Sequence, residues 1–423
     1  MNPMALPAAF ARLWLHQRLP AARLTALRER LLHRLLRDAY ETVPFYRERW
    51  DAAGVSPEEI HTVGDLARLP IVTKTELRAA GEKALSAALR GRADLRTLRT
   101  SGSSGRPFTI HELPEFRVVR RAAFLRALCA GPYRPGRRLL LITNAGERPP
   151  AAWLGWRYIS SEVPAARMAE ALESFRPYCV YALLAPLRRL LDHYRSTGRR
   201  PPRPQAVYTS AESLDPLVRR RIETLFDAPV LDIYGMTETG PLAWQCAPGG
   251  PYHLAEDTTI VELLPAPVPG RARLVVTSLW RKVMPLVRYD TGDLAVAAGG
   301  GACACGCRFG TIARVEGRIV DCIRLPDGES LSPYAVTLAL EEVGGIARYR
   351  VVQEALDRFR VEVEPEAGPG SGLEEAIRGA LSALLGSGAT IRVAFRDSLD
   401  PPPGRKFKVV ENRLQEAGEL CAS

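Results

Sequence analysis

Lysine is scarce in this 423-residue chain, which has 58 lysine and arginine residues in total. Only five positions are lysine: 74, 83, 282, 406 and 408. A lysine is a compact point charge, whereas an arginine is a planar fork with five donors. Because the chain uses arginine almost everywhere else, we expect these lysines to mark positions at which arginine cannot substitute.

Long hydrophobic runs and an export signal are also missing. The longest apolar stretches, such as residues 139–142, have the length of strands, whereas a membrane helix needs about 20 apolar residues. The first twenty residues contain Arg12, His16 and Arg18 and lack both a clean apolar block and a small-residue cleavage site. We therefore expect no membrane partner and a cytoplasmic location.

The net charge of +11 is spread along the whole chain. No aromatic residues alternate with the cations, as they do in proteins that stack single-stranded bases. Nucleic acid is therefore not an expected partner. A solvated basic surface with a phosphate-binding cleft is the simpler interpretation.

Strand-like apolar runs alternate with helical stretches between about residues 95 and 300, which favours an α/β fold. After residue 318 the pattern changes to that of a small α+β unit, whose first helix begins at Ser332-Pro333. We predict a large domain over residues 1–317 and a small domain over 318–423. The predicted strands are 138–143, 206–209, 230–234, 273–278, 347–353, 358–364 and 390–396, and the main predicted helices are 20–43, 116–130, 165–175, 185–197, 214–226 and 371–386.

A Ser/Gly-rich segment, TSGSSGRP at residues 100–107, follows a candidate strand at 95–99. Glycines allow the backbone to turn so that amides and hydroxyls point at a phosphate. The GK[ST] ending of a Walker loop is absent. Taken alone, the segment is also compatible with an ordinary loop.

Two acidic motifs follow strand-like runs. In DIYGMTETG at 232–240, a strand leads into Glu238, and a carboxylate at the carboxyl end of a strand can hold Mg²⁺ on a triphosphate. The alternative is a strand-to-helix turn with a capping threonine. In RYDTGD at 288–293, we predict a rigid acidic turn whose carboxylates could accept two ribose hydroxyls. An ordinary Asx turn is the alternative.

A cysteine cluster lies near residue 305. Cys303, Cys305 and Cys307 are too close for separate disulfides, and Cys322 follows soon after. In a cytosolic chain such a cluster indicates metal binding, although reduced thiols without a ligand are the alternative.

Taken in order, these motifs resemble those of the adenylate-forming (ANL) superfamily, and within it the phenylacetate-CoA ligase family and its capsule-synthesis-type relatives. The resemblance covers about residues 30 to 410. The segments that carry it are VPFYR (43–47), LPIVTK (69–74), TSGSSGRP (100–107), SAE (210–212), IYGMTETG (233–240), RYDTGD (288–293), GRIVD (317–321) and GRKFK (404–408).

The resemblance implies ATP- and Mg²⁺-dependent adenylation of a small, aromatic carboxylic acid with release of pyrophosphate. A thiol, either CoA or an acyl or peptidyl carrier protein, would then accept the acyl group. The small C-terminal domain would move between the two steps.

The resemblance also assigns roles to individual residues. The ATP phosphates would contact Thr100, Ser101, Gly102, Ser103, Ser104 and Gly105. The adenine would contact Ala211, Glu212, Tyr234 and Gly235. Phosphate and Mg²⁺ would contact Thr237 and Glu238, and the ribose would contact Asp293 and Arg318. Lys406 would be the adenylating lysine. A structural Zn²⁺ would be held by Cys246, His253, Cys303 and Cys305, with Cys307 as an alternative ligand.

The sequence departs from the family pattern at the presumed hinge and near the catalytic lysine. Val320 stands where the hinge aspartate is usual, and residues 325–328 replace a segment that often lines the thiol tunnel. These changes predict a slow or absent CoA step and favour a carrier protein. Arg405 replaces the glycine before the catalytic lysine, which leaves Lys408 as an alternative to Lys406.

Other functions remain open at this point. The acid could be different, such as nitrite, and the acceptor could be an amine or a hydroxyl. A nucleotide-binding scaffold without catalysis is the non-enzyme alternative, which retention of Glu238, Asp293 and Lys406 disfavours. A homodimer is also left open.

Overall fold

The computed structural model describes residues 4–99, 108–144, 155–299, 303–366, 368, 370–399 and 407–414. Within these ranges the α-helices are α1 (Ala5–His16), α2 (Ala21–Thr42), α3 (Pro44–Ala52), α4 (Lys74–Ala80), α5 (Pro114–Ala130), α6 (Ala165–Phe175), α7 (Leu184–Thr197), α8 (Pro216–Phe226), α9 (Pro333–Glu341) and α10 (Leu373–Leu385).

The strands in the same ranges are β1 (Arg96–Arg99), β2 (Thr109–Glu112), β3 (Leu139–Thr143), β4 (Trp156–Ser160), β5 (Cys179–Leu183), β6 (Val207–Ser210), β7 (Val230–Met236), β8 (Gly240–Gln245), β9 (Tyr252–Leu254), β10 (Thr259–Pro265), β11 (Ala272–Ser278), β12 (Tyr289–Ala297), β13 (Thr311–Arg318), β14 (Ile323–Arg324), β15 (Ser330–Leu331), β16 (Ile346–Ala355), β17 (Arg358–Pro365), β18 (Thr390–Phe395) and β19 (Val410–Asn412). The predicted α/β fold is confirmed, and every predicted strand and helix given above has a counterpart within a few residues.

One large sheet organises the chain as far as residue 318. Its strand order is β10-β11-β12-β13-β9-β8-β7-β6-β5-β3-β4. The half from β4 to β7 is parallel, and the half from β8 to β10 is antiparallel. The reversal occurs at the β7–β8 hairpin, where the parallel strands end.

The parallel strands are buried on both faces, which explains their continuous apolar sequences. On one face, Val180 and Val207 pack against the core that α6, α7 and α8 cover. On the other face, Tyr181 and Tyr208 pack with Leu125 of α5. This two-sided burial fixes the register, so the residues at the carboxyl ends of these strands are held rigidly.

The N-terminal helices break at Val43, whose backbone is extended, because Pro44 cannot continue α2. Pro44 instead occupies the first turn of α3, where its missing N–H is tolerated. The Tyr46 hydroxyl donates to the Pro285 carbonyl oxygen at 2.9 Å and so anchors α3 beside the antiparallel half of the sheet.

A second, four-stranded sheet follows, in the order β18-β17-β16-β19. Together with β14, β15, α9 and α10 it forms what we term the C-terminal unit, residues 318–414. Its own core includes Val336, Val351, Val361 and Leu381, all buried. As predicted, Ser332 caps α9, accepting from the Ala335 N–H.

The C-terminal unit meets α7 and α8 mainly through charged groups. Arg220 and Arg221 of α8 pair with Glu341 and Glu366, and the Arg221 guanidinium also donates to the Ile346 carbonyl oxygen at 2.8 Å. Contacts of this kind are typical of interfaces that separate and reform. No helix among the described residues is long and apolar enough to cross a membrane.

Candidate active site

The predicted adenine contacts lie at the carboxyl ends of two adjacent parallel strands. Ser210 ends β6 and pairs with Ile233 of β7, so Ala211 emerges beside Tyr234. Ala211 has a φ of 82°, a left-handed conformation that costs energy for a residue with a Cβ. The carboxyl edge of a parallel sheet, next to a strand reversal, is where open α/β folds bind ligands.

Gly235 and Gly240 of the DIYGMTETG motif lie in a tight β7–β8 hairpin. A Cβ on Gly235 would lie 2.6 Å from the Gly240 carbonyl oxygen, so only glycine fits there. The motif therefore leads into an antiparallel strand, and the alternative of a strand-to-helix turn is wrong. Thr237 at the tip is exposed, whereas Glu238 is only 5% exposed.

Glu238 is held in place by buried cations. Arg281, fully buried, donates to the Glu238 carbonyl oxygen at 2.7 Å and to the His111 carbonyl oxygen at 2.9 Å. Burial lowers the pKa of Arg281 to about 10, so the guanidinium remains charged at neutral pH. The backbone that presents the carboxylate is thus fixed before any ligand arrives.

Lys74 is a site residue that the motif analysis did not identify. Its Nζ lies 3.2 Å from Glu238 Oε1 and 5.3 Å from the centre of the Phe108 ring. Phe108 directly follows the Ser/Gly-rich segment, so Lys74 lies beside Glu238 and close to the residue at which the described chain resumes after that segment. The scarcity of lysine and the place of Lys74 at the end of the LPIVTK segment were the signals in the sequence that could have indicated this position.

A short parallel bridge brings Lys74 to the site. The Val72 N–H donates to the Arg288 carbonyl oxygen at 2.9 Å, and the Asp290 N–H donates to the Val72 carbonyl oxygen at 2.8 Å. Thr73 and Glu76 then form a capping box that starts α4 at Lys74. The N-terminal segment is therefore joined directly to the RYDTGD motif.

The RYDTGD motif lies at the start of β12, and it keeps a local turn within the strand. Pairing with β11 is interrupted over residues 291–293, where the Asp290 carboxylate accepts from the Gly292 N–H at 2.9 Å and Gly292 has a φ of 73°, as in an Asx turn. The Tyr234 hydroxyl donates to Asp293 Oδ2 at 2.7 Å, and Arg318 Nε lies 3.6 Å from Asp293 Oδ1. Burial and the Asp293 charge raise the pKa of Tyr234 far above its usual range, so Tyr234 remains a donor.

Three predicted elements of the site are thus brought together: Tyr234 and Gly235, Thr237 and Glu238, and the Asp293–Arg318 pair. Residues 100–105 and Lys406 lie outside the described residues. The Lys408 Nζ lies 2.8 Å from Asp321 Oδ1, in the turn that follows β13. Lys408 is therefore engaged inside the C-terminal unit.

Cys246, His253, Cys303 and Cys305 form a separate cluster at the far end of β8. All four ligand atoms lie within 4.8 Å of one another. Cys246 Sγ is 3.5 Å from Cys303 Sγ, and Cys305 Sγ is 3.3 Å from His253 Nε2. Three thiols and an imidazole at these separations suit a tetrahedral zinc ion with Zn–S bonds of about 2.3 Å. Cys307 is buried in the apolar core instead.

Comparison with known proteins places this geometry in context. Phenylacetate-coenzyme A ligase from Thermus thermophilus is 30% identical over 371 residues, which is 82% of this chain and 82% of that protein. A 2-hydroxyisobutyryl-CoA ligase in its postadenylation state matches with a TM-score of 0.79 at 22% identity, over 95% of this chain and 92% of that one. No family model matches the chain.

The same 2-hydroxyisobutyryl-CoA ligase in its thioesterification state gives a TM-score of 0.64 over the same shares of the two chains. The present structure therefore superposes better on the postadenylation arrangement. The fold is that of an adenylate-forming ligase. The chain belongs to the phenylacetate-CoA ligase family.

Proposed function

We propose that this chain uses ATP to convert a small aromatic carboxylic acid into an acyl-AMP and then transfers the acyl group to a thiol. The observation that best supports this proposal is the hydrogen bond between Tyr234 and Asp293. This hydrogen bond joins the motif proposed to bind adenine (232–240) to the motif proposed to bind ribose (288–293). Tyr234 also lies four residues before the buried Glu238.

In the adenylation step, a carboxylate oxygen of the acid forms a bond to the α-phosphorus of ATP. The bond from that phosphorus to the bridging oxygen breaks, and pyrophosphate leaves. Negative charge grows on the non-bridging oxygens, and fixed cations stabilise it. We assign this role to Lys406, with Lys74 on the departing phosphates.

Magnesium supplies additional charge neutralisation when bound. Glu238 and the Thr237 hydroxyl fit this ion, because Mg²⁺ is usually held by one or two carboxylates together with substrate phosphates. Asp293 would accept from the ribose hydroxyls, since Tyr234 and Arg318 already orient its carboxylate. Ala211 and Glu212 would line the adenine, and residues 100–105 the phosphates.

The aromatic character of the acid is supported by a wall of rings near β6. Phe124 contacts Tyr181 edge to face, with centroids 4.8 Å apart, and contacts Trp156 at 6.1 Å. Tyr181 hydrogen-bonds Ser210, the residue before Ala211, and burial raises its pKa to about 12. Such a wall favours edge-to-face contact with an aryl ring. Tyr133, whose hydroxyl accepts from the Trp156 indole N–H, is fully buried in the core.

Two acceptors are candidates, one suggested by the relatives and the other by the residues at the proposed hinge. The relatives are phenylacetate-coenzyme A ligases, so CoA is the first acceptor to test. A carrier protein is the second candidate. It is favoured by Val320, which is 47% exposed and cannot make the polar contacts of an aspartate, and by the tight 325–329 turn that joins β14 to β15.

We further propose that residues 1–317 and 318–423 are separate domains that reorient around residues 318–321. Each side has its own buried core, and charged pairs join them. A zinc ion in the Cys246, His253, Cys303 and Cys305 cluster would be structural, since no open position remains. A cytoplasmic location is part of the proposal, because ATP and reduced thiols are found there.

The test is ATP–pyrophosphate exchange with purified protein and a panel of acids. Phenylacetate and substituted benzoates represent aromatic acids, and 2-hydroxyisobutyrate, acetate and nitrite represent the alternatives. We expect exchange only with aromatic acids. Exchange with nitrite or a short aliphatic acid alone would contradict the substrate class, and no exchange with any acid would contradict adenylation itself.

Supplying CoA or an acyl carrier protein to the active mixture then identifies the acceptor by mass spectrometry. A thioester on either thiol supports the proposed second step. An amide or ester product formed in preference to a thioester would contradict it.

A further inference from the structure

Phe407 occupies an unusual position between two arginines. The guanidinium carbon of Arg188 lies 5.4 Å from the centre of the Phe407 ring, and that of Arg348 lies 5.7 Å away. Arg188 is 8% exposed and Arg348 is 6% exposed. A cation over an aromatic face is stabilising, and more so when water is excluded.

The two arginines come from different parts of the chain. Arg188 lies on α7, beneath the large sheet, whereas Arg348 lies on β16 of the C-terminal unit. The ring itself precedes β19, which pairs with β16 at Val351 and Val410. The contact between Arg188 and Phe407 therefore crosses from the large domain to the C-terminal unit.

Each arginine has its own carboxylate, which offsets the repulsion between two cations on one ring. Arg188 pairs with Asp215 at 3.2 Å, and Arg348 pairs with Asp192 at 2.9 Å. Both carboxylates belong to the large domain, so the Arg348 pair also crosses the interface. If the C-terminal unit rotates away, the ring contact to Arg188 and the Arg348–Asp192 pair break together, whereas the longer Arg348–Glu364 pair of 3.9 Å lies within the unit and is kept.

The cluster also touches the proposed nucleotide site. Asp215 caps α8 through the Val218 N–H and lies at the end of the loop that begins with Ala211 and Glu212. On the other side, Phe407 directly follows Lys406, so their Cα atoms are about 3.8 Å apart. A contact that holds Phe407 against α7 therefore acts one residue along the chain from the proposed adenylating lysine.

We propose that the stack of Arg188, Phe407 and Arg348 is a latch that holds the C-terminal unit in the orientation seen here, which matches a postadenylation arrangement better than a thioesterification one. Phe407 is thus a positioning residue that acts through Lys406, and this inference rests on the proposed role of that lysine. The latch favours the first half-reaction and must open for the second. It supplies an orientation-specific contact in a chain whose hinge has Val320 in place of an aspartate.

The test separates the two half-reactions in Phe407→Leu. Acid-dependent pyrophosphate exchange measures adenylation, and conversion of a supplied aryl-adenylate with the thiol acceptor measures the second step. We expect Phe407→Leu to lower exchange about tenfold while the second step stays equal or becomes faster. Phe407→Tyr, which keeps the ring, should restore exchange.

Phe395→Leu is the matched control, because Phe395 is a half-buried ring on β18, at the opposite edge of the same sheet from β19. This variant should leave the ratio of the two half-reactions unchanged. Equal loss of both half-reactions in Phe407→Leu, or no loss of exchange, would overturn the latch.

Hydrogen exchange distinguishes failure of the latch from failure of the proposed function. Without any substrate, amides in peptides covering 184–197 and 341–349 should exchange faster in Phe407→Leu than in the wild type, and Phe407→Tyr should not differ. An unchanged rate of amide hydrogen exchange in these peptides would refute the latch, whether or not the wild type adenylates an aromatic acid. The opposite result is also informative. If the wild type shows no adenylation but amide hydrogen exchange is faster in Phe407→Leu, only the proposed function and the role of Lys406 are refuted.

Discussion

The two ends of β8 contrast two ways in which a protein arranges polar groups. At the first end, Glu238 is buried beside Lys74 and Arg281, and exposed Thr237 leaves one side open. At the other end, about 20 Å away for a six-residue strand, Cys246 and His253 face each other with all four ligand positions taken by protein atoms.

The contrast distinguishes a site that can act on a ligand from a site that stabilises the fold. Fixed charges around an open position can stabilise charge that develops on a ligand. A closed tetrahedral set can only stabilise the fold. Variants at the first end should therefore change the rate and leave folding intact, whereas variants at the second end should do the reverse.

Lys406→Ala should have the largest effect on adenylation. Removing one preorganised stabilising group costs about 2.7–4 kcal/mol of transition-state stabilisation, or 10²–10³ in rate. Pyrophosphate exchange measures this loss, and thermal unfolding should be unchanged. Lys408→Ala should retain most activity, because its ammonium pairs with Asp321. An inactive Lys408→Ala beside an active Lys406→Ala would transfer the role to Lys408.

Glu238→Gln should lower adenylation by about 10² and raise the Mg²⁺ concentration needed for half-maximal rate, because the amide is a poorer ligand for a hard cation. The comparison is Glu256→Gln, a carboxylate that accepts from the Gly310 N–H beyond the cysteine loop. That variant should keep full activity. Comparable losses of activity in both variants would remove the distinction between the two ends of β8.

Lys74→Ala should raise the KM for ATP about tenfold with a smaller change in kcat, since this lysine lies where the phosphates are expected. Lys83→Ala is its control, because Lys83 is exposed and pairs with Glu48 at 3.0 Å on the surface. Steady-state kinetics at varied ATP measures both. A KM for ATP that stays at the wild-type value would exclude Lys74 from phosphate binding.

Cys303→Ser should change stability rather than chemistry. The wild type should contain about one zinc per chain, and the variant should lose most of it together with on the order of 5 °C in melting temperature. Cys307→Ser should keep the metal, because Cys307 lies in the core. Metal analysis of protein purified without chelators checks both, and zinc-free wild type would refute the site.

Asp232→Asn should have the smallest effect and depend on pH. Burial raises the pKa of Asp232 from its usual 3.8 to about 6, and its carboxylate accepts from Tyr252 at 2.7 Å. A raised folded-state pKa means that the stabilising contribution is present at low pH and is lost as pH rises through about 6.

The neutral asparagine should therefore stabilise the protein at pH 8 by about 1–3 kcal/mol, and the advantage should vanish near pH 4. Denaturant unfolding of the wild type and the variant at these two pH values measures the difference. A variant that is less stable than the wild type at pH 8 would show that the Tyr252 hydrogen bond outweighs the burial of charge.

Much of the fold was predictable because parallel strands are buried on both faces. β3 and β7 are apolar runs bounded by turns, and α5 to α8 have regular helical spacing. β12 was not predicted, because Asp290, Gly292 and Asp293 favour a turn locally. The turn forms, with the Asp290 carboxylate accepting from the Gly292 N–H, but pairing with β11 resumes at Leu294, which no window of a few residues can detect.

The candidate site likewise contains residues that the sequence predicted and contacts that it did not. Each of the motifs around Glu238 and Asp293 is a short continuous segment, so resemblance alone predicts the roles of their residues. Lys74 and Glu238 are 164 residues apart, and their contact depends on the bridge between Val72 and Tyr289. The stacking of Phe407 between two arginines likewise depends on how two units dock, which spacing along the chain does not reveal.

The most direct test of the central claim is a single turnover without a thiol. Protein, ATP, Mg²⁺ and phenylacetate are mixed, and the protein-bound products are identified by mass spectrometry. The account predicts about one acyl-AMP per active chain, with one pyrophosphate released, and neither in Glu238→Gln on the same time scale. Formation of ADP and an acyl phosphate, or no adduct with any aromatic acid, would contradict it.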